Sequence, residues 1–366
     1  MNPLDGIRVL DMSRLLPGPM CTWYLQGMGA EVIKVEDPAG GDYLRHMPPH
    51  RSDGFNAWFA AINAGKQSVA LNLRRPSHQA ALEALIAQAD VLVESFRPGV
   101  MARLGMAPEA LRDRYPRLVI CSITGFGQDG PMAHLPGHDL GYMALGGLLS
   151  LGSRVDGLPE VPGVQLADIA GGALTAAMRI SAALVGRAST GKGAWLDVSM
   201  TEAAMALLAP AVAQMAVEGR APTPGAEPLT GGFAQYKLYR CSDGGVIAVA
   251  PLEPKFWGAL CAAVGEELDP SEERLTALFR TRTRDEWADA LGGACVNAML
   301  ELDELASHPL HQQRGTFTGE GENLRVVPPV ECLPERATQP APGLGEHTEA
   351  ALRAVGYDPV QLEEGT

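Results

Sequence analysis

Apolar residues in the first third of the chain fall into short, nearly unbroken runs: Ile7–Met12, Glu31–Glu36, Gln67–Leu73, Asp90–Ser95 and Leu118–Ile123. Runs of this length rich in Val, Ile and Leu predict strands buried on both faces, as in a parallel sheet. Between them the spacing changes to that of helices, over Met20–Met28 behind Pro17-Gly18-Pro19 and over Ser77–Ala89. Strand, helix and strand in succession form a βαβ unit, which implies parallel pairing and a right-handed crossover. A further strand, Ala194–Ser199, follows the turn Thr190-Gly191-Lys192-Gly193. The fold class predicted is α/β, with a Rossmann-like large domain.

The pattern shifts after Met200–Glu218, an apolar helical stretch that Pro210 should break or kink. The Pro-rich stretch 220–230 reads as a linker. Beyond it, Gln235–Cys241 and Val246–Ala250 flank Ser242-Asp243-Gly244-Gly245, a hairpin signal. Glu253 precedes Pro254 and is therefore held extended, with the proline suited to the first position of a helix. Thr283-Arg284-Asp285-Glu286 is a capping box for another helix. The organisation expected is a large α/β domain over 1–219, a linker over 220–230, a small α+β domain over 231–317, and a segment over 318–366 that returns to the large domain.

A chain of 366 residues with 46% hydrophobic and 20% charged positions has room for a large core. Its formal charge of −14 leaves no basic surplus to displace counterions, which argues against nucleic acid as a partner. The six cysteines are scattered without a CxxC or zinc-like spacing, as expected of reduced thiols. No metal and no separate cofactor are expected. The opening residues lack a basic stretch followed by an apolar core, and the Ala-rich segments near Leu174 and Ala203 read as too short for a membrane span. The expectation is a cytoplasmic protein with no membrane partner.

The first strand-to-helix turn, Ser13–Pro19, carries two prolines where a dinucleotide fingerprint needs glycines, so a nicotinamide enzyme is excluded on that signature. Cations gather instead in loops after strands: Arg45, Lys66, and Arg97 and Arg103 beside Ser95 and Phe96. Open α/β sheets bind ligands outside the carboxyl ends of their strands, so these groups suit a nucleotide bearing several phosphates. Two potential proton carriers, His138 and Asp168, stand in a stretch dominated by Gly, Ala and Leu. Asp168 reads as the N-cap of a long apolar helix. Gly171 and Gly172, costly in a helix, imply that something approaches the backbone closely there.

These residues sit within motifs that span the chain: Pro17-Gly18-Pro19, Gly29–Glu36, Gly41-Asp42 with Arg45, Gly65-Lys66, Arg97-Pro98-Gly99, Thr124–Gly127, Gly137-His138-Asp139, Leu252-Glu253-Pro254 and Gly345-Glu346-His347-Thr348. In this order they resemble the family III CoA-transferases and racemases. The resemblance implies an interlocked homodimer acting on acyl-CoA thioesters, with CoA as part of the substrate. It places the catalytic roles on His138, Asp168 and Glu253, and CoA contacts on Lys66, Ser95, Phe96, Arg97, Arg103 and Gly137. The presence of both His138 and Glu253 points to the racemase branch, which inverts the α-carbon of 2-methyl-branched acyl-CoA by proton transfer between two bases. The alternative is a transferase in which Asp168 attacks the thioester as a nucleophile. Asp37 stands where the family often has a basic residue after the second strand, a departure that bears on how the phosphates are held.

Overall fold

A computed structural model describes residues 2–330 and 339–363. Cys332 and parts of the C-terminal segment lie outside them. The chain divides into two compact units, one of Met1–Leu148, Pro162–Leu207 and Gln312–Thr366, the other of Leu149–Val161 and Leu208–His311.

The first unit is built on six parallel strands: β1 (Arg8–Met12), β2 (Glu31–Glu36), β3 (Gln67–Ala70), β4 (Val91–Glu94), β5 (Val119–Thr124) and β6 (Trp195–Ser199). Their spatial order is β3-β2-β1-β4-β5-β6. The order reverses between β1 and β4, and in open α/β sheets ligands bind outside the carboxyl ends of the strands at such a reversal. Val9, Leu10, Leu92, Val93 and Ile120 are fully buried, which is why the strands read as continuous apolar runs. Helix α1 (Pro17–Gly27) links β1 to β2, and α2 (Pro76–Ile86) links β3 to β4.

The C-terminal segment covers the outer edge of β3. His347 N–H donates to Ser68 O at 2.8 Å, Ala70 N–H donates to Thr348 Oγ1 at 3.0 Å, and Gly345 N–H donates to Ser68 Oγ at 2.9 Å. Gly345 has φ +69° and a Cβ there would stand 2.9 Å from that of Ala70, so only glycine fits the approach.

Helix α3 (Asp139–Leu145) follows β5. Next in this unit is a π-helical turn, Ala167–Leu174, that runs without a break into α4 (Thr175–Thr190). Beyond β6, α5 (Met200–Met205) passes through a short 3-10 turn into α6 (Ala209–Glu218), the interruption expected at Pro210. The segments Ala167–Thr190 and Met200–Glu218 are 24 and 19 residues long, and by length and composition alone each could cross a membrane. That corrects the expectation that both were too short.

The second unit contains the antiparallel sheet β9-β8-β7, formed by β7 (Lys237–Arg240), β8 (Val246–Val249) and β9 (Val296–Ala298). It packs with α7 (Pro254–Val264), α8 (Glu272–Phe279) and α9 (Arg284–Leu291) around Phe279, Trp287 and Leu291. The capping box of α9 is present, Thr283 and Glu286 each bonding the other's backbone N–H.

Candidate active site

Asp168 does not cap its helix. It occupies the first turn of the π-helical segment, whose N-cap position is Leu166. Its own N–H donates to Asp139 Oδ1 at 2.9 Å. The side chain is half-buried, and burial followed by the nearby Asp139 charge pushes its carboxyl up to about 7. A carboxyl poised there exchanges protons readily at neutral pH.

The wider turn is set by packing from two sides. A Cβ on Gly171 would stand 2.6 Å from Met200 O, and one on Gly172 would stand 2.8 Å from Pro17 Cβ. The approach inferred from the two glycines is thus that of α5 and α1. Thr175 Oγ1 donates to Ala170 O at 2.9 Å, five residues back, which fits the wider turn.

His138 sits at the N-cap position of α3 in extended conformation, φ −133° and ψ 167°, with its side chain exposed and not engaged in capping. It directly precedes Asp139, which is buried and bonded to the Asp168 backbone. That bond draws the His138 and Asp168 segments together. Tyr142, one turn further, feels burial first and then Asp168, Arg97 and Asp139, and its phenol is pushed up to about 12. Its ring fills the space where a Cβ on Gly125 or Gly137 would fall, and it packs edge-on to Phe126 at 5.2 Å. Gly137 therefore makes room for Tyr142. Met143 is buried beside it, whereas Leu145 is 57% exposed and shields nothing.

Lys66 is not at the ligand edge. It is buried, with its ammonium donating to Pro19 O at 2.9 Å, Thr22 Oγ1 at 2.8 Å and Asn63 Oδ1 at 2.9 Å, and paired with Asp11 at 3.3 Å. Burial draws the ammonium down to about 8, against the pull of Asp11. Burial alone would raise the Asp11 carboxyl, yet Lys34, Lys66 and the hydroxyls of Ser13 and Thr22 hold it far below the usual carboxylate range. Arg45 is likewise occupied, by Glu36 at 2.7 Å and the face of Phe59 at 3.9 Å. Both residues hold the scaffold together and have no charge left for a ligand.

Ser95, Phe96, Arg97 and Arg103 do lie after β4. Arg97 and Arg103 are exposed. Ser95 Oγ accepts the Arg14 N–H at 3.3 Å, and Phe96 packs on the main core. Glu94 Oε2 accepts the Phe96 N–H at 2.8 Å, and burial, opposed by the bond from Ser122, pushes this carboxyl up to about 7. Glu253 lies in the second unit, at the N-cap position of α7 with φ −80° and ψ 144°, exposed and not capping. Its extended backbone is the one Pro254 imposes.

Sequence reasoning passed over Asp139 and Tyr142, although both belong to the run that begins with Gly137-His138. It also passed over Arg14, Arg74 and Arg75, which follow β1 and β3 and carry no ion pair among the described residues. The signal available was a basic residue directly after a buried strand. Among the described residues no three His, Cys, Asp or Glu side chains gather closely enough to hold a metal ion.

A parallel sheet with free arginines along its carboxyl edge, and a half-buried carboxyl that titrates near neutrality, defines an α/β enzyme for an anionic ligand. The family model for CoA-transferase family III matches residues 4–348, and the chain belongs to that family, whose members act on acyl-CoA. It is 34% identical to the α-methylacyl-CoA racemase of Homo sapiens, over 97% of this chain and 94% of that protein. It is 41% identical to the acetyl-CoA:oxalate CoA-transferase of Acetobacter aceti, over 96% of this chain and 95% of that protein. A crystal structure of a CAIB/BAIF family protein from Brucella suis has the same fold, with a TM-score of 0.83, 29% identity, and coverage of 97% of this chain and 100% of that one.

Proposed function

We propose that the enzyme inverts the α-carbon of 2-methyl-branched acyl-CoA thioesters. One base removes the α-proton from one face, leaving an enolate thioester, and the protonated partner returns a proton to the other face. His138 and Asp168 are the two carriers, and Glu253 supports the site. The observation that carries this reading is the Asp168 N–H to Asp139 Oδ1 bond, which joins the GHD motif to a carboxyl already raised to about 7. A carboxylate of that basicity takes a carbon-bound proton more effectively than an ordinary one. The assembly that goes with the reading is an interlocked homodimer in which Glu253 comes from the partner subunit.

A second reading has support of its own: the relative at 41% identity is named a CoA-transferase. There Asp168 attacks the thioester carbonyl, CoA leaves as thiolate, and the acyl group is held as a mixed anhydride. Incubating a single enantiomer of a 2-methylacyl-CoA in D2O without an acceptor acid separates the two. Inversion requires α-deuterated product with loss of optical purity. Transfer of CoA to separately added oxalate or succinate, with release of the free 2-methyl acid and no α-exchange, would sink the racemase reading.

A further inference from the structure

We propose that Arg14, clamped between Tyr43 and Phe96, is a substrate-binding residue that takes an anionic oxygen group of the acyl-CoA thioester. The proposal rests on the chain's acting on acyl-CoA and adds a residue that none of the motifs contains. The Arg14 guanidinium stands 5.0 Å from the centroid of the Tyr43 ring and 5.4 Å from that of Phe96. One of its nitrogens donates to Tyr43 OH at 2.7 Å. Its other donors meet no acceptor and no carboxylate pairs with it among the described residues.

The surroundings make that lack of a partner informative. Lys34, Arg45 and Lys66, the neighbouring cations, are each neutralised by a carboxylate, at 3.0, 2.7 and 3.3 Å. Arg14 alone of these four keeps its charge for something else. Its position is also that of a ligand site, because it follows β1 and touches Phe96 after β4, the two strands between which the sheet order reverses.

The backbone that presents it is pinned at three successive amides. Ser13 N–H donates to Asp11 Oδ1 at 3.0 Å, Arg14 N–H to Ser95 Oγ at 3.3 Å, and Leu15 N–H to Asp42 Oδ1 at 3.1 Å. Leu15 is held at φ +62°, a conformation that a leucine keeps only when its surroundings enforce it. A cation on a fixed backbone, flanked by two aromatic faces, loses little freedom when it meets an anion. Two parts of the substrate offer the matching chemistry: a phosphate of the nucleotide half, or a carboxylate on the acyl group.

Calorimetry on the full chain with free CoA, pantetheine and succinyl-CoA, beside KM and kcat with a 2-methylacyl-CoA, tests the assignment. Arg14→Gln should weaken binding about tenfold, the loss of one charge-assisted contact, and Arg14→Lys should recover part of it. A loss for CoA but not for pantetheine identifies the phosphate. A loss confined to succinyl-CoA identifies the carboxylate. In either case KM rises more than kcat falls. Tyr43→Leu, which keeps the charge but removes one face of the clamp, should weaken the same ligand by a smaller factor and guards against misfolding of the first variant. Unchanged affinity for all three ligands in a wild-type-like fold overturns the role of Arg14. A wild-type protein that binds none of them overturns the acyl-CoA reading itself.

Discussion

Asp168 illustrates how one side chain can be costly to the fold and useful to the chemistry. Its folded carboxyl titrates near 7 rather than at the ordinary 3.8, so the folded state holds the proton more tightly than the unfolded one. The stability this gives is full below about pH 4 and is lost as pH rises through 7. Asp168→Asn should therefore melt higher than wild type at pH 8 and at the same temperature at pH 4, which thermal unfolding at the two values will test. As a base, Asp168 must be ionised, so the rate in the direction that uses it should fall as pH drops below about 7. His138→Ala distinguishes the two chemistries at the same scale: inversion should be abolished, while a nucleophilic Asp168 would still carry CoA transfer to an acceptor acid. Lys66 shows what residue-by-residue reading leaves out, since its ammonium is buried and paired with Asp11. Gly65-Lys66 looks like a ligand loop, and what buries it is Asp11, 55 positions earlier in the chain. Lys66→Met should cost about 3 kcal/mol in urea unfolding, the usual effect of breaking a buried ion pair, and leave KM unchanged.

Among the elements, the parallel strands were legible because burial on both faces leaves each one a run of apolar residues with little alternation. The hairpin of the second unit was legible from its Asp-Gly-Gly turn, and α9 from its capping box. The π-helical turn was not. Its width comes from α1 and α5 pressing on Gly171 and Gly172, and no local pattern around Asp168 records which helices will arrive there. The two glycines did announce a close approach, though not its partner. Gly171→Ala would drive a methyl to 2.6 Å from the Met200 carbonyl, a backbone atom that cannot swing away. Overpacking of this kind costs about 1–3 kcal/mol. The variant should lower Tm, and by shifting the turn that aims Asp168 it should lower kcat by more than it alters KM.

On the scale of the whole molecule, the apolar helices leave large side chains in water: Met178 is 65% exposed, Val185 75% and Val217 88%. A single chain seldom shows so much aliphatic surface without a use for it. The proposed homodimer supplies one, and sedimentation equilibrium should give a mass near twice 38.7 kDa. Val185→Glu with Val217→Glu should shift that mass toward a single chain, and an unaltered dimer would place the interface elsewhere. No sequence pattern announced these exposed faces, because a helix apolar all round reads the same whether core or partner covers it. The covering of β3 bears on how the chain is made. Gly345 reaches Ser68 across 277 positions, so during synthesis the outermost strand emerges early and waits, its ladder open, until that whole intervening stretch has been translated. A ribosome that stalls before that point releases a sticky margin, and a chaperone that shields Ser68 to Ala70 until Thr348 arrives would raise the yield of folded enzyme.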